Sequence, residues 1–245
     1  MGLVKSSKYR REQGLFTAEG TRICLDGVQS GYSPEIFFCT EKSREKHMDD
    51  FEKISAVSRK TVIVSQSVFE KLSDTKSPQG FFCVFNILDK NKNLLTINTK
   101  GNYIALENIQ DPSNLGTILR TAEALGFNGV LMSENCCDLY SPKVVRGSMG
   151  AVFRLPCFVP DDFISCISDL TSSGIMTYGS TPRDAEDITK LSLSGGVMLI
   201  GNEGNGLSEA VLNVCAQRVK IPMSGRAESL NAAAAAAILM WELVR

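Results

Sequence analysis

Histidine is almost missing from this chain: His47 is the only one in 245 residues. That scarcity removes the commonest metal ligand and the usual neutral-pH general base from nearly the whole sequence. The eight cysteines do not replace it. Cys24, Cys39, Cys83, Cys157, Cys166 and Cys215 are scattered, mostly inside apolar runs, and Cys136-Cys137 are adjacent, so there is no Cys-x-x-Cys pair. A zinc site lacks both spacing and ligands, no metal is expected, and buried, reduced thiols are. Long apolar runs are missing too, none approaching the ~18 residues of a membrane span. The opening Met1-Gly2-Leu3-Val4-Lys5-Ser6-Ser7-Lys8 carries no apolar core of the kind found in a secretion signal. Together these absences predict a cytoplasmic protein with no membrane partner.

The familiar nucleotide loops are absent as well. Neither G-x-G-x-x-G nor G-x-x-x-x-G-K-[ST] occurs. The nearest run, Gly201-Asn202-Glu203-Gly204-Asn205-Gly206-Leu207-Ser208, has the order G-x-x-G-x-G, and the Glu203 carboxylate inside it would repel a phosphate. A nicotinamide-dependent enzyme fails on that glycine order. A tight strand-to-helix turn, or a close approach of main chain to a neutral or cationic ligand, both remain open. An excess of charge of one sign is also lacking, with a net of −1 overall. Residues 1–98 hold 15 Lys+Arg against 12 Asp+Glu, and residues 99–245 hold 11 against 15. The first segment is thus the better polyanion contact.

What is present is strand-helix alternation. Residues 1–22 read as a basic arm leading into a helix, with Lys5, Lys8, Arg10 and Arg11 ahead of Gly14-Leu15-Phe16. Ile36-Phe37-Phe38-Cys39, Thr61-Val62-Ile63-Val64 and Gly80-Phe81-Phe82-Cys83-Val84-Phe85 predict buried strands, and Gln66 to Leu72 a short helix. The polar run Asp89-Lys90-Asn91-Lys92-Asn93 and Lys100-Gly101-Asn102 bracket a domain boundary, placed between residues 98 and 99. From Tyr103 the alternation is regular. Asp111-Pro112-Ser113-Asn114 starts a helix whose Leu115, Ile118, Leu119, Ala122 and Leu125 recur at helical spacing, with Gly126 at its end. Gly129 to Met132 predicts a strand, Ser141-Pro142 a further helix start, and Phe163, Ile167 and Leu170 another helix. Val197 to Gly201 and Arg218 to Ile221 close the strand series. The expectation is α/β: a mostly parallel C-terminal sheet preceded by a smaller α/β unit, with ligands at the carboxyl ends of the strands.

Three polar segments stand at such ends. In Asn114-Leu115-Gly116-Thr117-Ile118-Leu119-Arg120, Arg120 lies opposite the apolar stripe; a solvated arginine and a guanidinium aimed at phosphate both fit that position. The second segment is the Gly201 run. The third is Ile221-Pro222-Met223-Ser224-Gly225-Arg226-Ala227-Glu228-Ser229-Leu230-Asn231, followed by six alanines from Ala232 to Ala237. Ser229 can cap the helix, with Asn231 in its first turn, and the bare helix behind must be covered closely by backbone neighbours.

These segments resemble the SpoU (TrmH-type) RNA ribose methyltransferases of the SPOUT class. Asp111-Pro112-x-Asn114-x-Gly116-x-x-x-Arg120-Thr121-Ala122-Glu123 matches the family's first motif, Gly201-x-Glu203-x-x-Gly206-Leu207 its second, and Ile221-Pro222-Met223 through Ser229-Leu230-Asn231 its third. Residues 1–98 are similar to the ribosomal-protein-like substrate-binding domain often fused in front, through Lys8-Tyr9-Arg10 to Glu19-Gly20 and Ser77-Pro78-Gln79-Gly80. One departure is Ala233, where the family usually has a hydroxyl residue. The resemblance implies a trefoil knot in residues 99–245, a homodimer through that domain, and methyl transfer from S-adenosylmethionine to a ribose 2′-hydroxyl of RNA. Ribosomal RNA is the expected target, transfer RNA the alternative. It also implies cofactor contacts at Gly201, Ile221 and Leu230, and a site built from Asn114, Arg120, Glu203, Ser229 and Asn231. The family casts Arg120 as a base; a guanidinium of such high pKa suits a clamp on phosphate and developing alkoxide better. RNA contacts are expected from Lys5, Lys8, Arg10, Arg11 and Arg22. A non-catalytic RNA-binding knot protein is the competing class, and the five intact site residues argue against it.

Overall fold

The computed structural model describes residues 2–75, 77–88, 97–98 and 100–245. The linker expected at 89–93 lies outside the described residues, as does Thr99, where the sequence places the start of the second domain. The first part of the chain gives α1 (Gly2–Lys5), α2 (Ser7–Gln13), β1 (Leu15–Glu19), α3 (Thr21–Gln29), β2 (Ile36–Thr40), α4 (Glu41–Lys46), α5 (Met48–Val57), β3 (Thr61–Val64), α6 (Gln66–Leu72) and β4 (Phe81–Asn86). The second gives β5 (Asn102–Leu106), α7 (Pro112–Ala124), β6 (Gly129–Met132), α8 (Pro142–Gly147), α9 (Ala151–Arg154), β7 (Cys157–Phe158), α10 (Phe163–Ser172), β8 (Thr177–Ser180), β9 (Glu186–Asp187), β10 (Gly196–Ile200), α11 (Glu209–Val214), β11 (Gln217–Lys220) and α12 (Ala232–Val244).

Contacts gather these elements into two compact units, Met1–Asp89 with Asp138–Arg154, and Lys90–Cys137 with Leu155–Arg245. The first unit is built on a four-stranded sheet of order β1-β4-β2-β3, antiparallel except for the β2–β3 pair. Its central strand shows why alternation matters. Phe81, Cys83 and Phe85 of β4 enter one cluster with Phe16, Phe37 and Cys39, while Phe82 and Val84 face Phe69 on the other side. The first cluster also takes Val145, Val152 and Phe153 from α8 and α9. The Phe153 ring lies 5.1 Å from Phe85 and 5.8 Å from Phe16, and Gly27 leaves no room for a side chain between Phe85 and Phe153. Residues 138–154 therefore complete this core.

Two local expectations are corrected here. Gly14, at φ +65°, ends α2, and Leu15-Phe16 opens strand β1 rather than continuing an arm. Arg10, expected on an RNA-facing surface, is only 4% exposed. Its Nε donates to Asp138 Oδ2 at 2.7 Å and its Nη1 to the Leu3 carbonyl at 2.6 Å. A buried guanidinium needs such partners, and having them, Arg10 serves the unit's interior.

The second unit carries a seven-stranded sheet, β7-β6-β5-β10-β8-β11-β9, every pairing parallel. Continuous burial of β6 and β10 reflects helices on both faces. Tyr103, Ala105, Val197 and Leu199 meet Phe163, Ile167, Val211 and Leu212 from α10 and α11. Against the opposite face, α12 packs on β5, β10 and α7. Short alanines permit that approach, with Ala232, Ala233 and Ala236 buried. Helix α7 starts at Asp111, whose side chain accepts from Ser113 N, and ends at Gly126, φ +73°, with Gly126 N donating to Glu123 O and Phe127 N to Ala122 O. No helix among the described residues is long and apolar enough to cross a membrane.

Candidate active site

Because β5 and β10 are parallel neighbours, the loops following them leave the same end of the sheet. Glu107, buried just past β5, accepts from Ser208 N and Ser208 Oγ, both at 2.7 Å, and so anchors the far side of the Gly201 loop. Asn108, in the left-handed region at φ +57°, is held by Ser133 Oγ at 2.9 Å, and its carbonyl accepts from Asn202 Nδ2 at 2.8 Å. Between these anchors the loop closes tightly. Asn202 and Gly206 exchange main-chain hydrogen bonds of 3.1 and 2.9 Å, and the Asn202 amide oxygen accepts from Gly204 N and Asn205 N. A Cβ at Gly201 would lie 2.0 Å from the Gly206 carbonyl carbon, so only glycine allows this turn.

The turn delivers Glu203 to the start of α7. Its carboxylate accepts from Gln110 N at 3.1 Å, Asp111 N at 3.1 Å and Asn114 Nδ2 at 3.0 Å. Main-chain donors and helix dipole both favour an anion there. Burial, the largest single influence on this carboxyl, pushes its pKa up, but the hydrogen bonds from Asn114, Asp111 and Gln110 together outweigh it and hold the pKa below the ordinary value. In the sequence the charge of Glu203 argues against phosphate, and the family resemblance makes Glu203 a site residue. In the folded chain that charge organises its own neighbourhood.

Asn114, 6% exposed, passes the connection on, since its Oδ1 accepts from Asn231 Nδ2 at 2.9 Å. Asn231 is the cap of α12: its Oδ1 accepts from Ala233 N at 2.9 Å and Ala234 N at 3.2 Å. Ser229, expected as the cap, lies two residues earlier in irregular chain, and Asn231 precedes the first turn rather than lying in it. The direction of every bond in the relay is fixed from its ends. Asn231 must offer oxygen to main-chain N–H groups, so its nitrogen points to Asn114; Asn114 must then donate to a carboxylate, which only accepts. The relay Asn231–Asn114–Glu203 thereby ties all three polar segments together.

Other expected site residues stand apart from it. Arg120 is on the exposed side of α7, about 9 Å further along the axis than Asn114 (six residues at ~1.5 Å), with no ion pair or hydrogen bond among the described residues. Ser229 and Leu230 are exposed, Ile221 is half-buried and Gly201 buried. Gly201 and Ile221 follow β10 and β11, which flank β8, placing them about 10 Å apart at one sheet edge. Ala233, the departure from the family pattern, is buried behind the cap. Of the expected RNA contacts, Lys5, Lys8, Arg11 and Arg22 are exposed. Gln110, Glu107 and Asn108 were not singled out from sequence; the only signal was their place directly after an apolar strand.

Comparison with known proteins follows the same residues. The SpoU rRNA Methylase family model matches residues 101–241, and the MRM3-like substrate binding domain matches residues 3–83. An uncharacterized tRNA/rRNA methyltransferase of Synechocystis sp. is 30% identical over 243 residues, covering 99% of this chain and 88% of its own length. RlmP of Bacillus subtilis, a 23S rRNA (guanosine(2553)-2′-O)-methyltransferase, is 28% identical over 242 residues, or 98% of this chain and 92% of its own. Among solved structures, the AdoMet-bound rRNA methyltransferase from Sinorhizobium meliloti superposes with a TM-score of 0.86 at 27% identity, covering 99% of this chain and 91% of that one.

Proposed function

Because this chain belongs to the SpoU rRNA methylase family and is an S-adenosylmethionine-dependent methyltransferase, we propose that it methylates a ribose 2′-hydroxyl in large-subunit ribosomal RNA. The observation that carries the reading is the Asn231–Asn114–Glu203 relay. It ties together the polar segments that follow β5, β10 and β11 at one end of the sheet, where the cofactor contacts are assigned. The name of the B. subtilis relative favours a ribose oxygen of 23S ribosomal RNA.

The residues present suit the cofactor. Among the described residues no hydrogen bond involves 222–230, leaving main-chain N–H and C=O groups for the edge of an adenine. Met223 and Leu230, 39% and 38% exposed, offer apolar surface beside them. Gly201, Ile221 and Leu230 are the contacts we assign. When bound, S-adenosylmethionine supplies an activated sulfonium methyl, so the protein needs only to align the ribose oxygen and bear its developing charge. Glu203 already accepts three hydrogen bonds, and both ends of the Asn114 amide are engaged, so these two position and do not exchange protons. Arg120, with its donors free among the described residues, clamps the target phosphate and stabilises the alkoxide as O2′ loses its proton towards solvent. Ser229, exposed beside the cap, orients the ribose.

The proposal extends to assembly. Ala234, Ile238 and Trp241 share one exposed line of α12, and Trp241 is 56% exposed. Such a stripe on a helix packed against α7 supports a homodimer through the C-terminal domain, with Arg120 completing a site shared across the interface. The trefoil knot, a division into RNA-binding residues 1–98 and transferase residues 99–245, and a cytoplasmic setting belong to the same reading.

Incubation with methyl-labelled cofactor and unmodified 23S ribosomal RNA tests it. Label in alkali-resistant linkages is expected; label on a base, or on transfer RNA alone, would overturn the assignment.

A further inference from the structure

A cleft of about 970 Å³ opens in the first unit, and the proposed function uses none of its lining residues but Arg22. Two of its walls come from segments singled out in the sequence: Glu19-Gly20 running into Thr21 and Arg22, and Ser77-Pro78-Gln79-Gly80. The third is α4. These walls are fitted to one another. A Cβ at Gly80, whose φ is +79°, would fall 1.9 Å from Ser43 Oγ, and Ser43 Oγ donates to the Gln79 carbonyl at 3.1 Å. The Gln79 side chain in turn lies over Gly20, its Oε1 only 2.9 Å from where a Cβ would stand.

Its charge is one-sided. Arg22, Lys42 and Lys46 line it, all exposed, and none forms an ion pair among the described residues. Among the described residues that line the cleft Glu41 is the one carboxylate, and Arg44 Nη2 already holds it at 2.6 Å. Lys42 and Lys46 stand four residues apart on one helix and so share a face, about 5–6 Å between Cβ atoms. Arg22 comes from α3, a different element. Three cations without ion pairs around one opening of this size fit a chain of phosphates better than a single anion. Gln79 adds a neutral donor and acceptor for ribose and base edges, and Gln66, whose Nε2 donates to Glu70, adds an acceptor.

We infer that this cleft grips the phosphodiester backbone of the RNA substrate, with Arg22, Lys42 and Lys46 as its phosphate contacts. The inference rests on the reading of the protein as an RNA methyltransferase and names where the first unit holds that RNA.

The test is binding of a fluorescent, unmodified 23S ribosomal RNA transcript to the full chain over a potassium chloride series. It compares wild type with Arg22→Gln/Lys42→Gln/Lys46→Gln, and with Lys53→Gln/Lys60→Gln/Lys71→Gln, which removes equal charge from the same unit outside the cleft. The cleft variant should bind on the order of 10–100-fold more weakly, and its slope of log K against log salt should fall by roughly 2, at ~0.7 per lost contact. The control should stay near wild type. Thermal melting and S-adenosylmethionine titration, both unchanged, would show that the cleft variant is folded. Equal affinity and slope in the cleft variant and wild type would overturn the inference, as would equal loss in the control. A wild-type protein that binds the transcript but methylates no ribose would sink the proposed reaction instead, leaving the binding comparison intact.

Discussion

Replacing Asn114 by alanine cuts the relay at its middle, and the cost can be worked from the bonds lost. The 3.0 Å bond to the Glu203 carboxylate is charge-assisted, worth about 1.5–3 kcal/mol; the 2.9 Å bond from Asn231 is neutral, worth about 1 kcal/mol. Glu203 keeps its two main-chain donors and Asn231 keeps its cap, so nothing else is orphaned. The loss is thus about 2.5–4 kcal/mol. At ~2–4 °C per kcal/mol for a chain of this size, the melting transition of the second unit should fall by roughly 5–16 °C. S-adenosylmethionine should bind more weakly, because the segments carrying Gly201 and Leu230 lose their common tie. Asn114→Asp sharpens the test. It matches the wild-type shape but sets a second carboxylate where an amide nitrogen now lies 3.0 Å from Glu203 Oε1. Two such groups cannot both stay ionised cheaply, so this variant should be worst near neutral pH and recover towards pH ~4–5 as the pair shares a proton. Differential scanning calorimetry and cofactor titration across that range decide the matter. Alanine and aspartate variants that melt and bind as wild type at every pH would refute the relay as the site's organiser.

Three further outcomes follow from the same geometry. Arg120→Lys and Arg120→Ala should melt as wild type, since the side chain is exposed, yet lose about 10²–10³-fold in single-turnover methyl transfer; near-normal rates for Arg120→Lys would defeat both the base and the clamp roles. Glu203→Gln should destabilise most at neutral pH. A carboxyl held low contributes stability that is present above its unfolded value of ~4.3 and is lost as pH falls through the lower folded value, so the melting curves of Glu203→Gln and wild type should converge below pH ~4. Phe153→Ala, removing a ring 2% exposed, should cost about 3–5 kcal/mol in the first unit, read by hydrogen exchange at β1 and β4; protection lost only in the second unit would contradict the packing.

What the sequence could show was local chemistry. Asp111 and Gly126 mark the ends of α7 because capping acts within a few residues. The apolar strands of both sheets were legible for the same reason. The cap of α12 was assigned to Ser229 because serine is a good cap; Asn231 took the position, since its amide has a second end to bond Asn114, 117 residues away. Arg10 looked like part of a basic arm until Asp138, 128 residues on, supplied its partner. Leu15 to Glu19 was hidden by the charges before it. Each of these misreadings turns on a contact too distant in sequence for periodicity or propensity to carry.

The place of Phe153 has a consequence for how the chain is made. A ribosome releases the polypeptide from its amino end, yet the sheet of the first unit finds one of its covering rings only when residue 153 emerges. By then β5, α7 and β6 have already left the exit, so the first unit closes around a segment that interrupts the second. Until that moment Phe16 and Phe85 lack a neighbour that shields them from water. Nascent chains stalled before α9 would then present an uncovered aromatic face to chaperones, and the two halves of this protein mature as interleaved pieces, neither finished before the other has begun.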